Sequence, residues 1–192
     1  SFTSEGIRII TESREFAQLL PKLFKKAFSM EFDIQPDPES AGKLNFQITA
    51  TEKLAVIMET YGFDVKDTLC LHINLPVVEE DCCKTAFLRG AFLAGGSVTD
   101  PEKGYHLEFS LRSERRAALL REFLTGEVDE PKTVIRGTKI GLYYKKNVQI
   151  SDLLYYLGGV QNGFDFSNIC IERDIRNSEN RATNCVARNI SR

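Results

Sequence analysis

The chain has 192 residues, 42% of them hydrophobic and 27% charged, the composition of an ordinary soluble globular protein with enough material for one large or two small cores. Its 25 Lys and Arg against 27 Asp and Glu leave a formal net charge of −2, which excludes nucleic-acid binding by bulk charge and leaves only a local contact or one made elsewhere in the protein. No stretch approaches the ~18 apolar residues of a membrane span, and no secretory signal opens the chain.

The first element is a strand from Ile7, followed by a helix whose candidate N-cap is Ser13, since a serine hydroxyl can accept from an unpaired N–H of the first turn. Phe16, Leu19, Leu20, Leu23, Phe24 and Ala27 form the apolar stripe of this helix. Pro21 interrupts the stripe and is expected to kink the helix or delay its start. After a turn-rich stretch, Leu44, Phe46 and Ile48 alternate with Lys43, Asn45, Gln47 and Thr49, as in a half-buried strand. A helix over EKLAVIMETYGF follows, ending at Tyr61-Gly62 with glycine as the left-handed cap.

Residues 79 to 98, EEDCCKTAFLRGAFLAGGSV, read as a helix with acids at its start, where the helix dipole favours them, and Gly95-Gly96 as its stop. Ala86, Gly90 and Ala94 fall every fourth position, and three small residues on one face let a second helix approach closely. An ordinary alanine-rich core helix has the same spacing. The next strand sends Tyr105, Leu107, Phe109 and Leu111 one way and His106, Glu108, Ser110 and Arg112 the other. Ser113 is the next candidate N-cap, before a stripe of Ala117, Leu120, Phe123 and Leu124. Two strands follow, the second alternating Ile140, Leu142 and Tyr144 with Lys139, Gly141, Tyr143 and Lys145, then a helix that ends at Leu157-Gly158.

Both halves therefore run strand, helix, two strands, helix, over about residues 7–62 and 105–160, joined by the helix at 79–95. The pattern predicts an α+β duplication, with antiparallel sheets covered by helices on one side and the other sheet face open. An open polar face suits a ligand, a nucleic-acid groove or plain solvation, and the sequence favours none of these. A body over 1–166 is expected, then a basic segment over 167–192.

Five cysteines (Cys70, Cys82, Cys83, Cys170 and Cys185) include no Cys-x-x-Cys, and neither His72 nor His106 stands at zinc spacing from a cysteine pair. Reduced thiols in a cytoplasmic protein are expected, with no metal and no cofactor. The adjacent Cys82-Cys83 follow Glu79, Glu80 and Asp81, an acidic setting that works against a reactive thiol.

The run from Leu88 to Ser97, LRGAFLAGGS, lies over the LAGLIDADG motif of homing endonucleases. The longer run CCKTAFLRGAFLAGGSVTDPEKGYHLEF, Cys82 to Phe109, is more closely similar to the WhiA family of bacterial regulators of sporulation and cell-division genes. The closing stretch RDIRNSENR with Asn184-Cys185 also resembles the WhiA segment that leads to a helix-turn-helix domain. The resemblance implies a LAGLIDADG fold of two similar halves. It also implies a first motif helix before Ile7 and a helix-turn-helix after Arg192, so the chain reads as a fragment. DNA, bound mainly through that helix-turn-helix, is the implied partner, with other transcription proteins beside it, no membrane, and a place at the nucleoid.

Endonucleases of this fold hold a divalent metal with an acid at the eighth motif position of each motif helix, where metal ions stabilise the attacking and leaving oxygens. Here that position is Gly95, and the nearest downstream acid, Asp100, sits in a turn before Pro101. No Ser–His–Asp arrangement or phosphate-binding glycine loop takes its place, so no catalytic residue is expected.

From Ser167 onward, Arg173, Arg176, Arg181, Arg188 and Arg192 stand against Glu172, Asp174 and Glu179, a local balance of 5 − 3 = +2. Arg173, Arg176, Asn177, Asn180, Arg181 and Asn184 have helical spacing and are side chains that contact phosphates and base edges. They are candidate DNA contacts, the competing expectation being a solvated linker or arginines paired with the acidic body.

Overall fold

A computed structural model describes residues 2–3, 6–37, 40, 42–63 and 74–190, so Cys70, His72 and Arg192 lie outside the described residues. The chain divides into two compact units, Ser1–Val77 and Val78–Arg192. No described helix is long and apolar enough to cross a membrane.

The first unit holds an antiparallel sheet of β1 (Phe2–Thr3), β2 (Gly6–Thr11) and β3 (Leu44–Ile48), in that order. The alternation seen in sequence sets its register: Ile9 pairs with Phe46 and Ile7 with Ile48, and Leu44, Phe46 and Ile48 are buried. Against them pack α1 (Arg14–Phe28) and α2 (Thr51–Thr60), with Ala17, Leu20 and Ile57 buried and Phe24, Phe32 and Phe46 in ring contact at 4.4 and 5.1 Å. Ser13 caps α1 as expected, its hydroxyl accepting from the Phe16 N–H at 3.2 Å. Pro21 lies inside this helix, which starts on time at Arg14 rather than late.

The expected pair of strands after α1 is reduced to β3 and an isolated bridge from Ile34 to Gln47. The chain beside Ile34 is committed elsewhere. One Asp33 carboxylate oxygen accepts the Thr49 and Ala50 N–H groups at 2.7 and 2.8 Å, and the other pairs with Lys53. Asp33 thereby caps α2, whose own N-cap is Ala50. The Lys53 ammonium, then the two amides, hold this carboxyl well below the usual carboxylate range. Pro36, two residues beyond Ile34, has no N–H to continue a ladder.

The second unit opens with α3 (Asp81–Gly95), which runs straight into β4 (Gly96–Val98). Its four-stranded antiparallel sheet has the order β4-β5-β7-β6, with β5 Leu107–Leu111, β6 Lys132–Arg136 and β7 Lys139–Tyr144. Leu107, Phe109, Ile140, Leu142 and Tyr144 point inward, onto α3, α4 (Glu114–Glu127), α5 (Asn147–Tyr156) and α6 (Val160–Ile190). Leu88, Leu107, Leu124, Ile150 and Leu153 are all fully buried in this core, each contributing about 1.5–3 kcal/mol of apolar burial. Ser113 caps α4 as expected, accepting from the Arg116 N–H. Gly158, at φ +80°, turns the chain between α5 and α6 in a conformation that side chains resist.

Gly95-Gly96 does end α3, but neither residue takes the left-handed conformation of a glycine cap. Both are required for close approach: a Cβ on Gly95 would lie 2.7 Å from the Ser110 carbonyl oxygen, and one on Gly96 would overlap the Phe92 ring. The boundary expected between 166 and 167 falls inside α6, a single helix of 31 residues. Phe166 and Cys170 bury its first half in the core, whereas nearly every described side chain beyond Arg173 is exposed.

Candidate nucleic-acid interface

Two features of the second unit bear on function: the end of α3 and the open face of the sheet. At the end of α3, Gly95 is pressed against β5 at Ser110, where even a Cβ would crowd the backbone carbonyl. Asp100 is spent in its own turn, accepting from the Glu102 N–H at 3.0 Å and facing Lys103 at 3.7 Å. Among the described residues no group of three or more His, Cys, Asp or Glu could hold a metal ion. Ala86, Gly90 and Ala94 are all exposed, and nothing lies within 4 Å of a Cβ placed on Gly90. The small-residue face of α3 is thus clear of the second unit. The opposite face buries Leu88, and Arg89 Nε donates to the Leu157 carbonyl at 2.7 Å, tying α3 to the end of α5.

The outward face of the sheet carries Glu108 and Ser110 from β5, Gly141 and Tyr143 from β7, and Lys132, Val134 and Arg136 from β6. Glu108 is 8% exposed, a rare state for a carboxylate. It is paid for by partners: Arg136 Nη1 donates to both carboxylate oxygens at 2.7 and 2.9 Å, and His106 Nε2 lies 3.0 Å from Oε2. Burial pushes the Glu108 carboxyl up, but Arg136 and His106 outweigh it and hold the group below its ordinary range. The Tyr143 ring stands 5.4 Å from His106, with the Lys145 ammonium 5.5 Å above it. Residues 132–146 hold five cations (Lys132, Arg136, Lys139, Lys145 and Lys146) and no acid, in a chain whose net charge is −2.

The arginines expected to reach DNA are placed differently from one another. Arg173 Nη1 donates to the Pro101 carbonyl at 2.7 Å, and its guanidinium lies 4.8 Å from the Tyr105 ring centre. Arg176 pairs with Glu102 at 3.2 Å, and Asp174 accepts from Tyr105. These contacts clasp α6 to the turn after β4, and the Tyr105 phenol is pushed up to about 12, by burial first and by Cys170 next. Asn177, Asn180, Arg181 and Asn184 lie exposed farther along α6. Sequence reading missed the Glu108–Arg136 pair because its partners stand 28 residues apart on different strands. The basic run at 132–146 was detectable as a charge count in a short window.

Residues 84–176 match the WhiA LAGLIDADG-like domain. Over 195 residues the chain is 34% identical to the probable cell division protein WhiA of Clostridium acetobutylicum, a match that covers 97% of this chain. The chain belongs to the WhiA family. The corresponding protein of Lachnoclostridium phytofermentans is 33% identical over 98% of the chain, and the chain spans 62% of the length of each of these two relatives. Among solved structures, full-length DUF199/WhiA from Thermatoga maritima superposes with a TM-score of 0.60 at 21% identity, over 96% of this chain and 63% of that one. The N-terminal LAGLIDADG domain of DUF199/WhiA gives 0.59 at 22% identity, over 81% of this chain and 72% of that one. The homing endonuclease I-GzeII, solved with its DNA target, gives 0.54 at 10% identity, over 91% of this chain and 81% of that one. At these identities the structures establish the fold: this WhiA-family chain has the LAGLIDADG architecture, α+β with antiparallel sheets.

Proposed function

We propose that this chain is the non-catalytic body of a DNA-binding transcription regulator that controls cell-division or sporulation genes and works at the nucleoid. The observation that carries the reading is Gly95. A metal-dependent nuclease of this fold needs a carboxylate at that position, and here even a Cβ would stand 2.7 Å from the Ser110 oxygen. The relatives are named as cell division proteins, in keeping with a regulator rather than a hydrolase. In the whole protein most of the DNA affinity belongs to a helix-turn-helix, and this chain positions it. Arg181, Asn177, Asn180 and Asn184, exposed on α6, add phosphate contacts beside it, whereas Arg173 and Arg176 hold α6 to the Asp100 turn.

Two measurements test this. Incubated with plasmid and Mg²⁺ or Mn²⁺, the chain leaves the DNA intact, and cleavage that copurifies with it and disappears in Asp100→Ala defeats the reading. Across a salt series this chain binds promoter DNA far more weakly than a full-length family member. Equal and sequence-specific affinity of the two overturns the division of labour. A second reading, a protein-interaction module with little DNA binding of its own, draws on the net charge of −2. Under it, the chain captures transcription proteins and its removal leaves promoter affinity unchanged.

A further inference from the structure

At the foot of the second sheet, a groove of about 720 Å³ opens between the loop before β6, the end of β7 and the start of α5. Four cations line it (Arg121, Lys132, Lys145 and Lys146) against two acids, Asp129 and Glu130. Both acids are already engaged. Glu130 pairs with Arg121. Asp129 accepts from the Gln149 side-chain amide and from the Glu130 N–H, and these bonds, with Lys146 nearby, hold its carboxyl low and ionised. Lys132 and Lys145 have no carboxylate within 4.0 Å among the described residues, although both are exposed and reach the same groove. Lys132 is directly opposite Tyr143 across the β6–β7 ladder, and Lys145 lies two residues past Tyr143. That diagonal places the two lysines on the order of 7–8 Å apart at the backbone, within reach of one tetrahedral anion.

We propose that this groove binds a phosphate-bearing ligand, with Lys132, Lys145 and Lys146 as the anion contacts and Tyr143 as an aromatic wall. Charge selects the ligand class. The cations exceed the acids by 4 − 2 = 2, so a ligand of two or more negative charges neutralises the groove, and a neutral or cationic one leaves the lysines facing one another. The Tyr143 ring, already beneath the Lys145 ammonium, offers a face to a planar group once that lysine turns to the anion. The polyphosphate of a free nucleotide and the backbone of a nucleic acid share this chemistry. The inference does not depend on the regulatory role proposed above.

Titration of this chain by calorimetry with sodium tripolyphosphate, ATP and a 20-base-pair duplex tests it. At least one of the three is expected to bind, with affinity about tenfold lower in Lys132→Ala/Lys145→Ala and unchanged in Lys25→Ala/Lys26→Ala, whose lysines lie on α1 of the other unit. Binding of tripolyphosphate or ATP identifies a small phosphorylated ligand. Binding of the duplex alone identifies nucleic acid as the phosphate source, and its salt slope then flattens by roughly one unit per lost contact. The proposal is overturned if none of the three binds, or if both double variants weaken binding equally, because the attraction is then diffuse. Circular dichroism of the Lys132→Ala/Lys145→Ala variant, both residues being surface-exposed, checks that the loss is not one of folding.

Discussion

Gly141 lies where its missing side chain makes room for Glu108: a Cβ on Gly141 would stand 2.7 Å from Glu108 Oε1 and 2.9 Å from Val134 Cγ1. The gap lets Arg136, two residues along β6 from the pairing of Val134 with Gly141, reach diagonally across β7 to the carboxylate on β5. An arginine, an acid and a histidine on the open sheet face thus share one site through the absence of a fourth side chain.

Gly141→Ala is accordingly expected to destabilise the second unit by about 1–3 kcal/mol, the usual cost of forcing atoms into a filled space. Chemical denaturation measures it. In the background of Glu108→Ala, which removes the obstructing carboxylate, that cost should fall to what the remaining Val134 contact imposes. Equal costs in both backgrounds refute the coupling.

Gly90→Ala should instead stabilise the chain, by about 0.5–1 kcal/mol. Gly90 is in the middle of α3, exposed, with nothing within 4 Å of the added methyl, so only the helix propensity of alanine acts. A fall in stability would reveal a partner on the small-residue face formed with Ala86 and Ala94.

Asp33 predicts an acid dependence. Its folded carboxyl is held well below the unfolded value, chiefly by Lys53 and then by the Ala50 and Thr49 amides. A depressed pKa contributes stability that is present above the unfolded value, near 3.9 for a model Asp, and is lost as pH falls toward the folded one. Asp33→Ala should cost about 0.5–2 kcal/mol at neutral pH, the range for losing a helix cap. The difference between variant and parent should shrink below about pH 4. A difference constant from pH 7 to pH 3 contradicts the assignment.

Arg89 and Gly158 meet where α3 supports the corner between α5 and α6. Gly158→Ala has to hold a side chain at φ +80° and displace the Arg89 guanidinium, and should cost more than the ~1–2 kcal/mol of the left-handed conformation alone. Arg89→Ala, which leaves the Leu157 carbonyl without its donor, should cost about 0.5–1.5 kcal/mol. Thermal unfolding of the two single variants and the double variant measures the coupling, and strict additivity argues against a shared contact.

The sequence by itself determined the repeated local pattern. Alternating apolar residues such as Leu44, Phe46 and Ile48 fix which strand face is buried, and Ser13 and Ser113 fix where helices begin, because both signals act over a few neighbouring residues. The run from Cys82 to Phe109 likewise carried the family resemblance before any fold was known. Tertiary structure alone decided what depends on distant partners. Asp33, in the turn-rich stretch after α1, caps α2, sixteen residues on at Thr49 and seventeen at Ala50. Gly95 is held against Ser110 rather than serving as a left-handed stop. Arg173 and Arg176 fall on the expected helical segment, yet their charge goes to Pro101 and Glu102 more than seventy residues away. A charged side chain takes whichever partner the packed chain brings within about 3 Å, and helical spacing cannot say which partner that is.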